Sequence, residues 1–329
     1  MRFPDIDPAI HLGPLDIHWY GVMYLLGFIA GWYLGVVRAK KRGSGWLPDD
    51  ITDLVLFVAI GVIAGGRLGY VLFYGLNQAL ADPLWIIRLN EGGMSFHGGL
   101  IGVLLAMWLF ARRRGRNFWD VTDFLAPLVP LGILFGRIGN FINGELWGEP
   151  TSLPWGIIFP DAGPLPRHPS MLYEGLLEGL VLFLILWFFS ARRRPRYAVS
   201  ALFLLCYGIF RFLIEFVRIP DAQLGYLAFG WLTMGQILTI PMIVIGIWLL
   251  RHAYAHPTFA PSVRPGSEES DDAEAPAGET ATLSADTAES VDKADDRSAD
   301  SDMPADEADT DEPADDSATS AGDSKDHAR

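Results

Sequence analysis

Cysteine is almost absent, with Cys206 the single one among 329 residues. That excludes an intramolecular disulfide and a cysteine zinc cluster, and with no nucleophile motif around it the residue reads as a small packing group. Also missing are an HExxH helix, a Ser-His-Asp order and any Cys-His clustering, which removes the common hydrolase and metalloprotease chemistries. The glycine-rich stretches GVIAGGRLGY at 61–70 and GGMSFHGGLIGV at 92–103 lack the Lys-Ser/Thr ending of a nucleotide loop. They read instead as surfaces where membrane helices approach closely. The first residues set Arg2 against Asp5, Asp7 and Asp16, with no basic start and no small-residue cleavage site, so no cleavable signal peptide is expected.

Aromatic residues are nearly lacking from 264–329, a stretch of Ala, Asp, Glu, Ser, Thr and Pro with 22 acids against 5 bases. Such a segment cannot bury enough apolar surface to offset its ordering entropy, and it reads as a disordered, solvated tail. The rest of the chain holds 17 acids and 20 bases, so the overall charge of −14 says little about the folded body. Two regions are expected, a membrane body over 1–256 and an acidic cytoplasmic tail over 257–329.

Half of the residues are hydrophobic. They fall into seven stretches near spanning length, at 18–37, 51–75, 96–111, 120–139, 171–190, 197–217 and 233–250, given that about 20 residues cross the hydrocarbon core. The fold expected is an all-α, polytopic membrane helix bundle of about seven transmembrane helices. The third stretch is short, so the glycine-rich run before it is expected to dip partly into the protein. Pro127, Pro130 and Pro241 should kink their helices or free carbonyls for other partners. The loops at 38–42, 112–116 and 192–196 hold twelve Lys and Arg, whereas the opposite loops and the N-terminal segment hold Arg2, Arg88, Arg167 and Arg218. Basic loops mark the cytoplasmic side, which puts the N-terminus outside and the acidic tail inside.

With that orientation Arg67, His97, Arg137, Glu174, Arg211 and Glu215 gather at one level toward the outer leaflet, while the inner halves of the spans look nearly all apolar. Charged groups at bilayer depth are costly and mark function by default. In the sixth stretch Tyr207, Arg211, Glu215 and Arg218 cover an arc of about 80°, one helical face. An inert ion-pair ladder would need only Arg211 and Glu215. Guanidinium suits bidentate phosphate contact, so an anionic headgroup is the natural ligand of the surplus arginines. His97 reads either as a satisfied buried histidine or as a base at the outer mouth. Ser170 looks like an N-cap after Pro169, and Glu174 either meets the helix dipole there or serves the site.

GRIGNFINGELWGE at 136–149 ends the fourth stretch and packs Arg137, Asn140, Asn143 and Glu145 among four glycines. These glycines are expected to let a ligand approach the backbone. A transporter for an anionic lipid or metabolite would use intramembrane arginines too, but should connect polar groups to both faces. A seven-helix receptor or a structural membrane protein would not need so many charges at one depth.

This block, together with FPDIDP at 3–8, HWYGVMYLLGF at 18–28, GGRLGYVLFY at 65–74, FHGGLIG at 96–102, HPSMLYE at 168–174, YGIFRFLIEFVR at 207–218 and MGQILTIPM at 234–242, resembles the prolipoprotein diacylglyceryl transferase family. The likeness covers the whole membrane body. It departs at His18, where the family often has Arg, at Met171, where Gln is usual, and in the acidic tail. The resemblance implies transfer of the diacylglyceryl group of phosphatidylglycerol to the lipobox cysteine of a preprolipoprotein, with a thioether formed and glycerol phosphate released. Its partners would be phosphatidylglycerol, lipobox peptides and the lipids of the bacterial cell membrane, and it implies no metal, organic cofactor or nucleic-acid partner. Carried onto this chain, it makes Arg137 and Arg211 ligands of the phosphate and leaving group, and His97 the candidate base. Tyr20, Asn140, Asn143 and Glu145 would orient the headgroup, Glu215 would hold Arg211, and Arg67 and Tyr207 would complete the lining.

The topology makes a direct prediction. A cysteine placed in the 192–196 loop should resist membrane-impermeant thiol reagents in intact cells; labelling from outside would invert the orientation.

Overall fold

The computed structural model describes residues 1–13, 15–220 and 225–262; the acidic stretch 264–329, expected to be a tail, lies outside them. A short antiparallel hairpin comes first, β1 (Ala9–Leu12) with β2 (Leu15–His18), pairing Ala9 with His18. It feeds directly into α1 (Trp19–Ala39). The chain then runs through α2 (Pro48–Tyr74), α3 (Leu76–Ala81), α4 (Phe96–Arg113), α5 (Phe118–Leu125) and α6 (Val129–Ile142). After a loop come α7 (Ser170–Glu174), a π-helical segment (Gly175–Val181) and α8 (Leu182–Phe189), then α9 (Ala198–Ile214) and α10 (Met234–Ala255).

Among the described residues five helices are long and apolar enough to cross a membrane: Trp19–Ala39, Pro48–Tyr74, Ser170–Phe189, Ala198–Val217 and Met234–Ala255. The pair α5 and α6, bent by 46°, makes a sixth if it is one span. The third stretch anticipated from the sequence, 96–111, is α4, whose 18 residues end in Arg112 and Arg113. The outer surfaces of these helices carry exposed Leu25, Ile29, Leu56, Ile60, Ile101 and Trp248. Apolar surface on this scale belongs against lipid, and the chain is a multi-pass membrane protein.

Local chemistry sets the helix ends. Pro48 opens α2, and the Leu47 amide donates to Asp50 Oδ2 at 3.2 Å. Ser95 Oγ accepts from the Gly98 amide at 3.2 Å and starts α4 where the glycine run ends. Thr233 and Gln236 form a reciprocal capping box at α10. The break at Pro127 and Pro130 separates α5 from α6, whereas Pro241 sits inside an unbroken α10. Ser170 does not cap α7; its hydroxyl donates to the Leu146 carbonyl at 2.8 Å.

α2 and α4 pack backbone to backbone. A Cβ at Gly65 would lie 2.7 Å from Gly102 Cα, and one at Gly69 would lie 2.7 Å from Gly98 Cα. The two glycine stretches are therefore the small-residue surfaces anticipated.

The basic loops at 38–42, 112–116 and 192–196 and the helix ends beside them hold more charge pairing than the sequence indicated. Asp50 is buried against Arg114 at 3.6 Å and Arg116 at 3.2 Å. Asp120 takes Arg196 in a two-point pair at 2.6 and 3.0 Å, and Asp123 Oδ1 accepts from the Ser200 hydroxyl at 2.6 Å. The expectation of nearly apolar inner halves is thus wrong at their ends, because each acid meets a partner far away in sequence.

Gly65→Leu should therefore force α2 and α4 apart and lower the apparent Tm in detergent by on the order of 5 °C. Gly31→Ala, at a position with nothing within 4 Å of the added carbon, should leave it unchanged or raise it.

Candidate active site

Glu174 ends α7 with no exposed surface. Arg137 of α6 places Nε 2.6 Å from its Oε2, and Arg211 of α9 places Nη1 3.3 Å from its Oε1. Arg218, just beyond α9, also pairs with Oε1. Three arginines, from α6, from α9 and from the chain just beyond α9, thus meet at one buried carboxylate. Their side chains keep about a sixth to a quarter of their surface open, at 24% for Arg137, 17% for Arg211 and 18% for Arg218, so a ligand can still reach them.

Glu215 organises the same group from the other side. Its Oε2 lies 3.0 Å from Arg211 Nη2 and 3.5 Å from Arg218 Nε. Its Oε1 accepts from the Thr233 hydroxyl at 3.0 Å, which ties the capped start of α10 to the arginines. The face anticipated along the sixth stretch carries ion pairs from Glu215 to both Arg211 and Arg218, with Tyr207 partly buried one turn before Arg211. Glu178, fully buried one turn after Glu174, lies 4.0 Å from Arg211 Nη1.

Arg137 links this cluster to the polar end of α6. Its Nη1 donates to Asn140 Oδ1 at 3.2 Å, and the amides of Asn140 and Asn143 both donate to Glu145 Oε1, at 2.9 and 3.1 Å. Asn140, Asn143 and Glu145 thus form one unit, as the motif required. Tyr20 flanks it from α1: a Cβ at Gly139 would lie 2.9 Å from the Tyr20 ring.

The glycines serve the protein more than a ligand. A Cβ at Gly148 would collide with the Val217 carbonyl and lie 3.0 Å from the His168 side chain. Gly144 adopts φ 66°, a turn conformation favoured by glycine. Of the four, Gly136 alone has nothing within 4 Å of an added Cβ, so the expected backbone approach is limited to that position. The close contacts let Gly148 donate to His168 O at 2.8 Å and Glu149 to Val217 O at 2.9 Å, fixing the segment that carries Arg218. His168 itself is partly covered, and that burial pushes its pKa below the ordinary histidine value.

Two anticipated members sit apart from the cluster. Arg67 is buried, donating to the carbonyls of Trp85 and Ile86 at 2.6 and 2.9 Å and to that of Gly92, with its guanidinium 4.4 Å from the centre of the Trp85 ring. Its donors are committed to holding the 85–93 loop, and it does not join Arg137 and Arg211. His97 is exposed in the first turn of α4, with its ring edge-on to Phe96. The buried-histidine alternative is thereby excluded, and no hydrogen bond joins His97 to the arginines among the described residues. Sequence reasoning missed Glu178 entirely and left Glu174 undecided. The signal available was their spacing of four within one apolar helix.

The whole arrangement is a buried, carboxylate-braced set of guanidiniums beside paired amides, with the capacity to take an anion. No group of three or more His, Cys, Asp or Glu among the described residues is placed to hold a metal ion. Residues 7–252 match the family described as prolipoprotein diacylglyceryl transferase. The chain is 62% identical over 252 residues to the phosphatidylglycerol–prolipoprotein diacylglyceryl transferase of Nitratidesulfovibrio vulgaris strain DP4, covering 76% of this chain and 96% of the relative. It is 59% identical over 257 residues to the enzyme of that name from Coxiella burnetii strain RSA 331, covering 78% of this chain and 98% of the relative. Every residue of the arginine and amide clusters lies inside the matched region, and the chain belongs to the prolipoprotein diacylglyceryl transferase family.

Proposed function

We propose that the protein transfers the diacylglyceryl group of phosphatidylglycerol to the lipobox cysteine thiol of preprolipoproteins, the first step of bacterial lipoprotein maturation. The observation that carries this reading is the braced arginine group, set in a chain of this family. In the reaction the substrate sulfur attacks the glyceryl carbon that bears the phosphate. A C–S bond forms, the C–O bond breaks, and glycerol phosphate leaves with the electron pair while the thiol proton passes to a base.

Two chemical needs follow. The leaving phosphate gains negative charge, and preplaced guanidiniums stabilise it without reorganising. Arg137 and Arg211 take that role; Glu174 and Glu215 fix their directions. A thiol with a pKa of about 8.5 is only a few per cent thiolate at neutral pH, so a base speeds attack. His97 is assigned that proton because its imidazole is exposed and has no fixed hydrogen-bond partner among the described residues. Asn140, Asn143, Glu145, Tyr20 and Tyr207 orient the glycerol and phosphate, while Arg67 acts indirectly by holding its loop.

The basic loops at 38–42, 112–116 and 192–196 support a cytoplasmic placement, with the arginine group toward the outer leaflet of the cell membrane and the N-terminus outside. Both substrates present themselves there. The body is assigned to 1–256 and a cytoplasmic tail to 257–329.

Incubating the purified protein with labelled phosphatidylglycerol and a lipobox peptide should yield a diacylglyceryl thioether; its absence from folded protein overturns the reading. Arg137→Ala and Arg211→Ala should each lower turnover by roughly 100-fold or more with folded protein retained. Near-normal rates in both would refute the phosphate assignment. Deletion of 266–329 should leave transfer within about twofold, since no ionic group of the proposed site lies there.

A further inference from the structure

Glu178 is the one carboxyl near the arginines that the chemistry above leaves without work. It has no exposed surface, and neither oxygen receives a hydrogen bond within the described residues. Its nearest cationic atom, Arg211 Nη1, is 4.0 Å away and already lies closer to Glu174, while Nη2 of the same guanidinium serves Glu215. An ionised carboxylate is an acceptor with about four lone-pair sites, and burying it without donors costs several kcal/mol. The surroundings do not offer that compensation.

The charges acting on Glu178 are Glu174, Arg211, Arg137 and Arg218, with the Tyr207 phenol also close enough to interact. Fully ionised, Glu174, Glu178 and Glu215 balance Arg137, Arg211 and Arg218, and Glu145 beside Arg137 tips the set negative. An anionic lipid headgroup entering it would then be repelled. With Glu178 neutral the set balances before the lipid arrives.

Backbone geometry fixes where the carboxyl sits. Glu178 lies within the π-helical segment, a form that recurs at functional sites because it resets side-chain direction. Gly179 presses this segment onto α6, where an added Cβ would lie 2.9 Å from Leu134 Cα, and one at Gly175 would lie 3.3 Å from Arg137 Cβ. Glu178 is thereby held in the same layer as Arg137 and Arg211.

We propose that Glu178 is kept as the neutral carboxylic acid and that its O–H donates a hydrogen bond to the lipid phosphate held by Arg211. A carboxylic acid kept neutral by its site becomes a donor, which an ionised one cannot be. This rests on the assignment of the phosphate to Arg137 and Arg211.

Infrared difference spectroscopy on the purified protein tests it. A deuterium-sensitive carboxylic-acid C=O band should be present in the wild type, shift on addition of phosphatidylglycerol, and vanish in Glu178→Gln. In transfer assays Glu178→Gln, which keeps a donor, should lose less than about tenfold in kcat/KM, and Glu178→Ala about tenfold more, the scale of one hydrogen bond to a charged group. No band lost in Glu178→Gln, or a Gln variant as impaired as the Ala variant, overturns the proposal even if Ala fails to fold. The two failures separate cleanly: a Glu178 band that lipid leaves unmoved, with Arg211→Ala still active, defeats the phosphate site itself.

Discussion

A single buried carboxylate, that of Glu174, holds the polar half of this molecule together. Three guanidiniums in an apolar surround repel one another, and each alone would seek water or lipid phosphate. Glu174 offers Arg137 one oxygen and Arg211 and Arg218 the other, which joins α6, α7 and α9 at a point that hydrophobic packing cannot specify. Buried pairs of this kind contribute little net stability compared with apolar packing, because desolvation offsets the attraction. What they supply is direction. Each guanidinium is held in place by at least one contact to Glu174.

That direction is reinforced from outside the hydrocarbon. Backbone bonds from Gly148 to His168 and from Glu149 to Val217 hold the chain just before Arg218, and the capped start of α10 holds Glu215 through Thr233. The supports come from loops and helix ends, where backbone groups are free to pair. Arg137 and Arg211 sit on regular helices, and Arg218 lies just beyond the end of α9.

Much of this was legible in the sequence wherever partners are close in the chain. The apolar runs gave the helices, the spacing from Tyr207 to Arg218 gave one face, and Asn140, Asn143 and Glu145 sit within hydrogen-bond reach because only five residues separate them. The family resemblance and the matches agree along the body. What escaped was non-local. Nothing in the order of residues says that Arg67 would spend its donors on carbonyls near residue 90, or that Asp50 would find Arg116 and Asp120 would find Arg196. The π-helical turn escaped as well, because it adds no residue type of its own and shows only in which side chains share a layer.

The 46° bend between α5 and α6 has a mechanical meaning. Below it, α5 is anchored by Asp120 and Asp123 to the start of α9; above it, α6 delivers Arg137 to Glu174. α9 runs past both anchors as one rod, so the broken element and the straight one are fastened at two heights with a joint between. Such a frame acts as a truss with one articulated member. A joint so placed lets the α5 end shift with less movement passed to the arginines held by Glu174.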